Sequence, residues 1–103
     1  MSAVRISNGR FDLSKLAEVE RAYAASQTAL CEGLGQLPGL IHFYAGIDRE
    51  KGYVTNVSVW ESVEAAKQLN TFQPMLDQRP IMEAAGVTFE PITNHEMLWT
   101  ITP

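Results

Sequence analysis

Asn56 and Trp60 lie four residues apart in the stretch Tyr53-Val54-Thr55-Asn56-Val57-Ser58-Val59-Trp60-Glu61-Ser62. The stretch reads as a strand that runs straight into a helix. On a strand, residues of equal parity share one face. A carboxamide and an indole would therefore point to the same side of a sheet, with Ser58 between them. Read functionally, the amide faces a pocket and bonds a ligand oxygen, and the indole is a platform for a ligand. Each residue also has a plainer reading. A buried amide must find partners, because leaving it unpaired costs about 1–3 kcal/mol, and a neighbouring loop or helix end could supply them. A Trp at a strand end is commonly core. Asn56-Val57-Ser58 also fits a glycosylation acceptor, a match set aside for a segment in mid-strand.

The remaining chemistry-bearing residues form no second constellation. His42 and His95 could each act as a base near neutral pH, but neither has metal-ligand spacing, and a lone strand histidine is usually a core or interface residue. Cys31, the sole cysteine, excludes an intrachain disulfide. It sits in a helical pattern with no histidine close in sequence and reads as a buried structural thiol. Met75, Met82 and Met97 read as core filling. No glycine-rich phosphate loop or dinucleotide fingerprint occurs. The expectation is no metal and no cofactor.

A chain of 103 residues reads as a single domain over 1–103, with room for one core. Eight basic and 12 acidic residues give a net charge of −4, and no basic stripe marks a nucleic-acid partner. No apolar run approaches the roughly 20 residues of a membrane span. Met1 to Arg10 carries Arg5, Asn8, Gly9 and Arg10 where a signal peptide would be apolar. The cytoplasm is the expected compartment.

Positioning falls to six elements. Val4-Arg5-Ile6-Ser7-Asn8 alternates apolar and polar residues and predicts a strand over Ala3 to Phe11. Asp12 or Ser14 caps a helix whose apolar stripe is Leu16, Val19, Tyr23, Leu30 and Leu34. Gly33 and Gly35 are read as its end, and Pro38-Gly39 as a turn. Leu40 to Ile47 is a second strand and Asp48 to Gly52 a charged hairpin tip. The third strand runs from Tyr53 to Trp60. Ser62 caps a helix to about Asn70, and a further piece lies within Pro74 to Ala85, interrupted by Pro80 and stopped by Gly86. An extended segment from Val87 to Glu90 is broken by Pro91, and a last strand runs from His95 to Ile101. Strand, helix, strand, strand, broken helix, strand is the split βαβ order of a ferredoxin-like α+β domain with a four-stranded antiparallel sheet.

Helices cover one face of such a sheet, and the other face should then carry charge. No Lys, Arg, Asp or Glu occurs between Pro38 and Ile47 or between Tyr53 and Trp60. A second copy of the chain is the economical cover. Pairing Ile47 with Gly52 puts Phe43 opposite Asn56 and Ile41 opposite Ser58. Asn56, Ser58 and Trp60 then share a face with Ile41, Phe43 and Ala45, while His42 and Tyr44 lie on the other face with Thr55, Val57 and Val59. A slip of one residue would reverse this. Ile41, Phe43 and Val54 would supply apolar walls, and Ser58 a polar one, to a site on the helix-covered face.

Leu37-Pro38-Gly39-Leu40, the charged hairpin, Asn56 to Ser62 and Ala84-Ala85-Gly86-Val87-Thr88-Phe89-Glu90 together resemble the antibiotic biosynthesis monooxygenase family, from about Val4 to Ile101. The resemblance implies a dimeric α+β barrel, two ferredoxin-like sheets packed face to face. It implies two kinds of chemistry. Some family enzymes oxidise aromatic polyketide-like substrates with oxygen and neither metal nor flavin; they are similar in an Asn followed four residues on by Trp, here Asn56 and Trp60, and use a Tyr shortly after, which Glu61 to Phe72 lacks. Others degrade haem with an Asn in the first strand, loosely matched by Asn8, the Trp, and a helical His for which nothing between Glu61 and Asn94 stands in. Two functions follow as expectations: a cofactor-independent monooxygenase-like homodimer acting on a small aromatic or quinol, with Asn56 and Trp60 catalytic, or a non-catalytic small-molecule-binding or stress-associated module of the same fold.

Overall fold

The computed structural model describes all 103 residues. Three strands make the body of the sheet: β1 (Ala3–Arg10), β2 (Leu40–Asp48) and β3 (Tyr53–Trp60). They run antiparallel in the order β2-β3-β1. The expected fourth strand is replaced by two short ones on the free edge of β1. Thr88–Phe89 (β4) pairs with Gly9 and Arg10, and Thr93–Glu96 (β5) pairs with Ala3 to Ile6. Pro91 lies between them, where a missing N–H cannot join a ladder. The last strand thus starts two residues early and ends at Glu96, and Leu98, Trp99 and Ile101 lie outside it and exposed.

The helices cover one face. Asp12 accepts a hydrogen bond from the Ser14 amide and caps a short 3₁₀ turn, Leu13–Lys15, which leads into α1 (Leu16–Gly35). α1 ends at Gly35, as expected, but without a left-handed cap. Gly33 is needed for space: a Cβ there would sit 2.9 Å from the Phe72 ring. Ser62 accepts from the Ala65 amide at the start of the short α2 (Val63–Ala66), which tightens into a 3₁₀ turn through Asn70. α3 spans Gln73–Ala85 and passes through Pro80 without a break, then stops at Gly86, whose φ of 117° is the left-handed cap. The expected interruption at Pro80 does not occur; the exposed ring costs one backbone bond, which the flanking turns outweigh.

The hairpin register differs from the expected one by two residues. Asp48 lies opposite Tyr53, Ala45 opposite Asn56 and Phe43 opposite Ser58. The tip explains it. The Asp48 carboxylate accepts from the Glu50 and Lys51 amides at 2.9 and 3.0 Å, and the Gly52 amide donates to the Asp48 carbonyl at 3.0 Å. Gly52 has φ 80°, and a Cβ there would meet the Phe11 carbonyl oxygen. A shift of two preserves the faces. A bulge between Leu40 and His42 does not: Leu40 pairs with Trp60, and Ile41 is turned outward, 45% exposed.

The core is divided. Phe11, Val19, Val54, Met82 and Val87 form one buried cluster, and Leu30, Leu34, Trp60, Ala66 and Leu69 form another. Between them the α1 stripe carries Ser26 where an apolar residue would continue it. No helix is long and apolar enough to cross a membrane.

Candidate active site

The inner face of the sheet is polar at its centre. In β1 the alternation runs opposite to the usual sense: Arg5 and Ser7 share the side of buried Ala3 and Gly9, and Val4 and Ile6 lie on the side away from the helices. Ser7 is directly opposite Asn56 across the β1–β3 ladder, and Arg5 is opposite Ser58. Beyond Asn56 comes Ala45, and beyond Ser58 comes Phe43. Sheet pairing therefore builds a floor of two rows, Ser7–Asn56–Ala45 and Arg5–Ser58–Phe43.

Above this floor lies a cavity of about 760 Å³. Arg5, Ser7, Asn56, Ala45 and Phe43 form its base; Tyr23, Ser26 and Leu30 of α1 form one wall, and Met75, Arg79 and Met82 of α3 another. Such a volume, with mostly apolar walls and a few converging polar groups, suits a small organic molecule. The small side chains of Ala45, Ser7 and Ser26 leave the space that the two core clusters do not fill.

Three polar groups in the wall stand out. Asn56 Oδ1 is sealed from solvent and has no hydrogen-bond partner. Buried acceptors are nearly always paired; this one, on a residue that lines the cavity, is not. Arg5 is 6% exposed. One of its nitrogens, Nη1, donates to Asn70 Oδ1 at 2.9 Å, no carboxylate pairs with it, and burial lowers its pKa. Tyr23 lines the cavity, and burial pushes its pKa up to about 12, so it stays protonated at any ordinary pH.

The six residues expected at the site are distributed unevenly. Asn56 and Phe43 line the cavity. Trp60 is fully buried on the same face in the cluster with Leu30 and Leu69, outside the cavity lining, and its Nε1–H donates to Ser58 Oγ at 2.8 Å; Ser58 is 2% exposed. Val54 packs in the cluster with Phe11 and Val19. Ile41 faces outward on its bulge, which corrects the expectation that it forms a wall. Cys31 is exposed, not buried as expected, with Sγ turned to the Thr28 carbonyl. Asn8 lies on the opposite face of the sheet, where its Oδ1 accepts from Thr55, away from Trp60. His42 and Tyr44 share that outer face as expected, with ring centres 5.7 Å apart and planes tilted by 31°. No cluster of three or more His, Cys, Asp or Glu side chains offers a metal site.

Sequence reasoning missed Arg5, Ser7 and Tyr23. Arg5 and Ser7 were legible only as the polar half of an alternating strand, and Tyr23 as one step of an apolar stripe. The available signal was a conflict: the apolar half of β1 had to face something besides the helices if Asn56 faced them.

The fold is that of the antibiotic biosynthesis monooxygenases. The chain is similar to SnoaB, a cofactor-independent oxygenase from Streptomyces nogalater, with a TM-score of 0.71 and 16% identity over 99% of this chain and 98% of that one. It is similar to the ActVA-Orf6 monooxygenase of Streptomyces coelicolor, solved with nanaomycin D, with a TM-score of 0.79 and 15% identity over 99% and 92% of the two chains. A candidate antibiotic biosynthesis monooxygenase from Deinococcus radiodurans superposes with a TM-score of 0.74 at 13% identity over 98% and 97%. No protein-family profile matches the sequence, and no curated protein is recognisably similar to it in sequence. At these identities the likeness establishes the α+β, ferredoxin-like fold.

Proposed function

We propose that the protein is a monooxygenase that works without a bound cofactor on a small, flat, enolisable aromatic or quinol held in the cavity. The observation that carries this reading is the unpaired, buried Oδ1 of Asn56 on the cavity floor. An enol O–H donated to that oxygen would hold the reactive tautomer of the substrate in place. In the overall change a ring methylene and O₂ give a carbonyl and water. The methylene loses its hydrogens, one oxygen atom forms the new carbon–oxygen bond, and the other leaves as water, so the substrate supplies all the electrons. SnoaB and the ActVA-Orf6 protein, named as oxygenases, lend support through their shared fold. The active form is a homodimer closed over the uncharged face of the sheet.

Oxygen uptake with a panel of anthrones and quinols tests the reading. Turnover by the native protein, lost in Asn56→Ala, supports it; no uptake with any member of the panel refutes it.

A second reading is a binding module without turnover. Trp60 favours it, because the indole is committed to Ser58 and the core and has no edge free for a ligand. Saturable binding of the same aromatics with no oxygen consumption would select this alternative.

A further inference from the structure

Arg5 is a cation with no counter-ion, placed under an aromatic-sized cavity. A guanidinium carries five N–H donors, and only Nη1 is engaged, by the neutral Asn70 amide. The one carboxylate around the cavity, Glu90, is exposed, and its backbone amide bonds the Asn8 carbonyl, three residues further along β1. The other arginine in the wall, Arg79, is already occupied: it pairs with Glu83 and lies over the Phe89 ring. Burying an unpaired charge is strongly unfavourable, and a sequence keeps such a residue where a ligand completes the pair.

Asn56 adds a second constraint. Its free Oδ1 is an acceptor, to which a ligand hydroxyl or enol can donate. Arg5 takes the reverse, an acceptor with full negative charge. The two residues lie on the same face, one row apart: Asn56 is opposite Ser7, and Arg5 follows two residues along the strand, a step of about 7 Å. We propose that the ligand is an aromatic hydroxy acid, bound with its carboxylate on Arg5 and its hydroxyl or enol on Asn56. Arg5 is thus the anion-binding residue of the cavity. This rests on reading the cavity as a small-molecule site, but not on turnover.

The test is calorimetric titration with 6-hydroxy-2-naphthoate, its carboxamide, and 2-naphthoate, which lacks the hydroxyl. The hydroxy acid should bind about tenfold or more tighter than the carboxamide, since a charge-assisted bond contributes at least that factor, and about threefold or more tighter than 2-naphthoate, which lacks one neutral bond. Arg5→Gln should abolish the preference for acid over amide and leave the preference for hydroxyl; Asn56→Ala should do the opposite; Arg79→Gln should change neither. Arg5→Gln should also melt no lower than the native protein, because it removes an unpaired charge. Equal binding of acid and amide, or loss of the acid preference in Arg79→Gln with Arg5→Gln unaffected, overturns the assignment. If Arg5→Gln unfolds, Arg5→Lys decides: retained acid preference supports the role, and its loss with folding intact refutes a simple charge role. Acid-selective binding without oxygen uptake would defeat the oxygenase reading and leave this one standing. Oxygen uptake on neutral quinols with no acid preference would do the reverse.

Discussion

Asn56 and Trp60 share a face and differ in everything else. The Asn56 oxygen has no protein partner, so Asn56→Ala should shift thermal stability by less than about 0.5 kcal/mol while abolishing ligand binding at the hydroxyl. Trp60 is enclosed in the core, and Trp60→Ala should cost about 3–5 kcal/mol. Measuring both by denaturant melts separates them; a large loss for Asn56→Ala would mean that a protein group pairs the amide. Tyr23 gives a pH test. Its folded-state pKa is raised to about 12 by burial, above an unfolded value of about 10. The folded state therefore keeps a proton that the unfolded chain gives up. The associated stability is complete below pH 10 and is lost as the pH rises from there toward 12. Stability should fall over that window, and less steeply in Tyr23→Phe. The face of Asn56 was legible because parity in a strand is exact even when pairing slips by two. That Trp60 would be used up by Ser58 was not, because nothing in a spacing of two says which neighbour an indole selects.

Elements were legible where a local rule governs them. Ser62 at a helix start, Gly86 at a helix end and the charged tip before Gly52 each follow from backbone geometry that the residue type dictates. The bulge at Ile41 was not legible. One extra residue in a uniformly apolar run, Leu40-Ile41, leaves no mark on the pattern, yet it exchanges which of the two side chains enters the core. Pro80 was misjudged for a different reason: propensity is local, while α3 is held by packing against α1 and the sheet. The helix keeps its course at a cost. Pro80 is exposed, so replacing it with Ala disturbs no core contact and restores a backbone bond. Pro80→Ala should stabilise the protein by about 1–3 kcal/mol. A thermal melt with unchanged or lowered midpoint would show that the ring relieves strain elsewhere in α3.

At the scale of the molecule, the two faces of the sheet exchange their usual roles. The inner face carries Arg5, Ser7, Asn56 and Ser58 at its centre, and the outer face carries Val4, Ile6, Val57, Val59, His42 and Tyr44. The outer centre holds no charged side chain, and charge returns only at the rim, where Arg10, Tyr53 and Asp48 align across the strands. A sheet face of that kind in water invites a partner. A second copy of the chain is the economical partner to expect, since an isologous contact buries the same apolar patch on both subunits. Past β5 in the sequence, Leu98, Trp99 and Ile101 are 88%, 76% and 77% exposed and add apolar surface. The expected outcome is a dimer at micromolar concentration by sedimentation velocity, burying well over about 1,000 Å². Val57→Lys places a charge in the middle of the patch, facing away from the cavity. It should give a monomer with helical circular dichroism intact. A native protein that sediments as a monomer at that concentration would leave the apolar face without an occupant and remove the dimer from the proposed function.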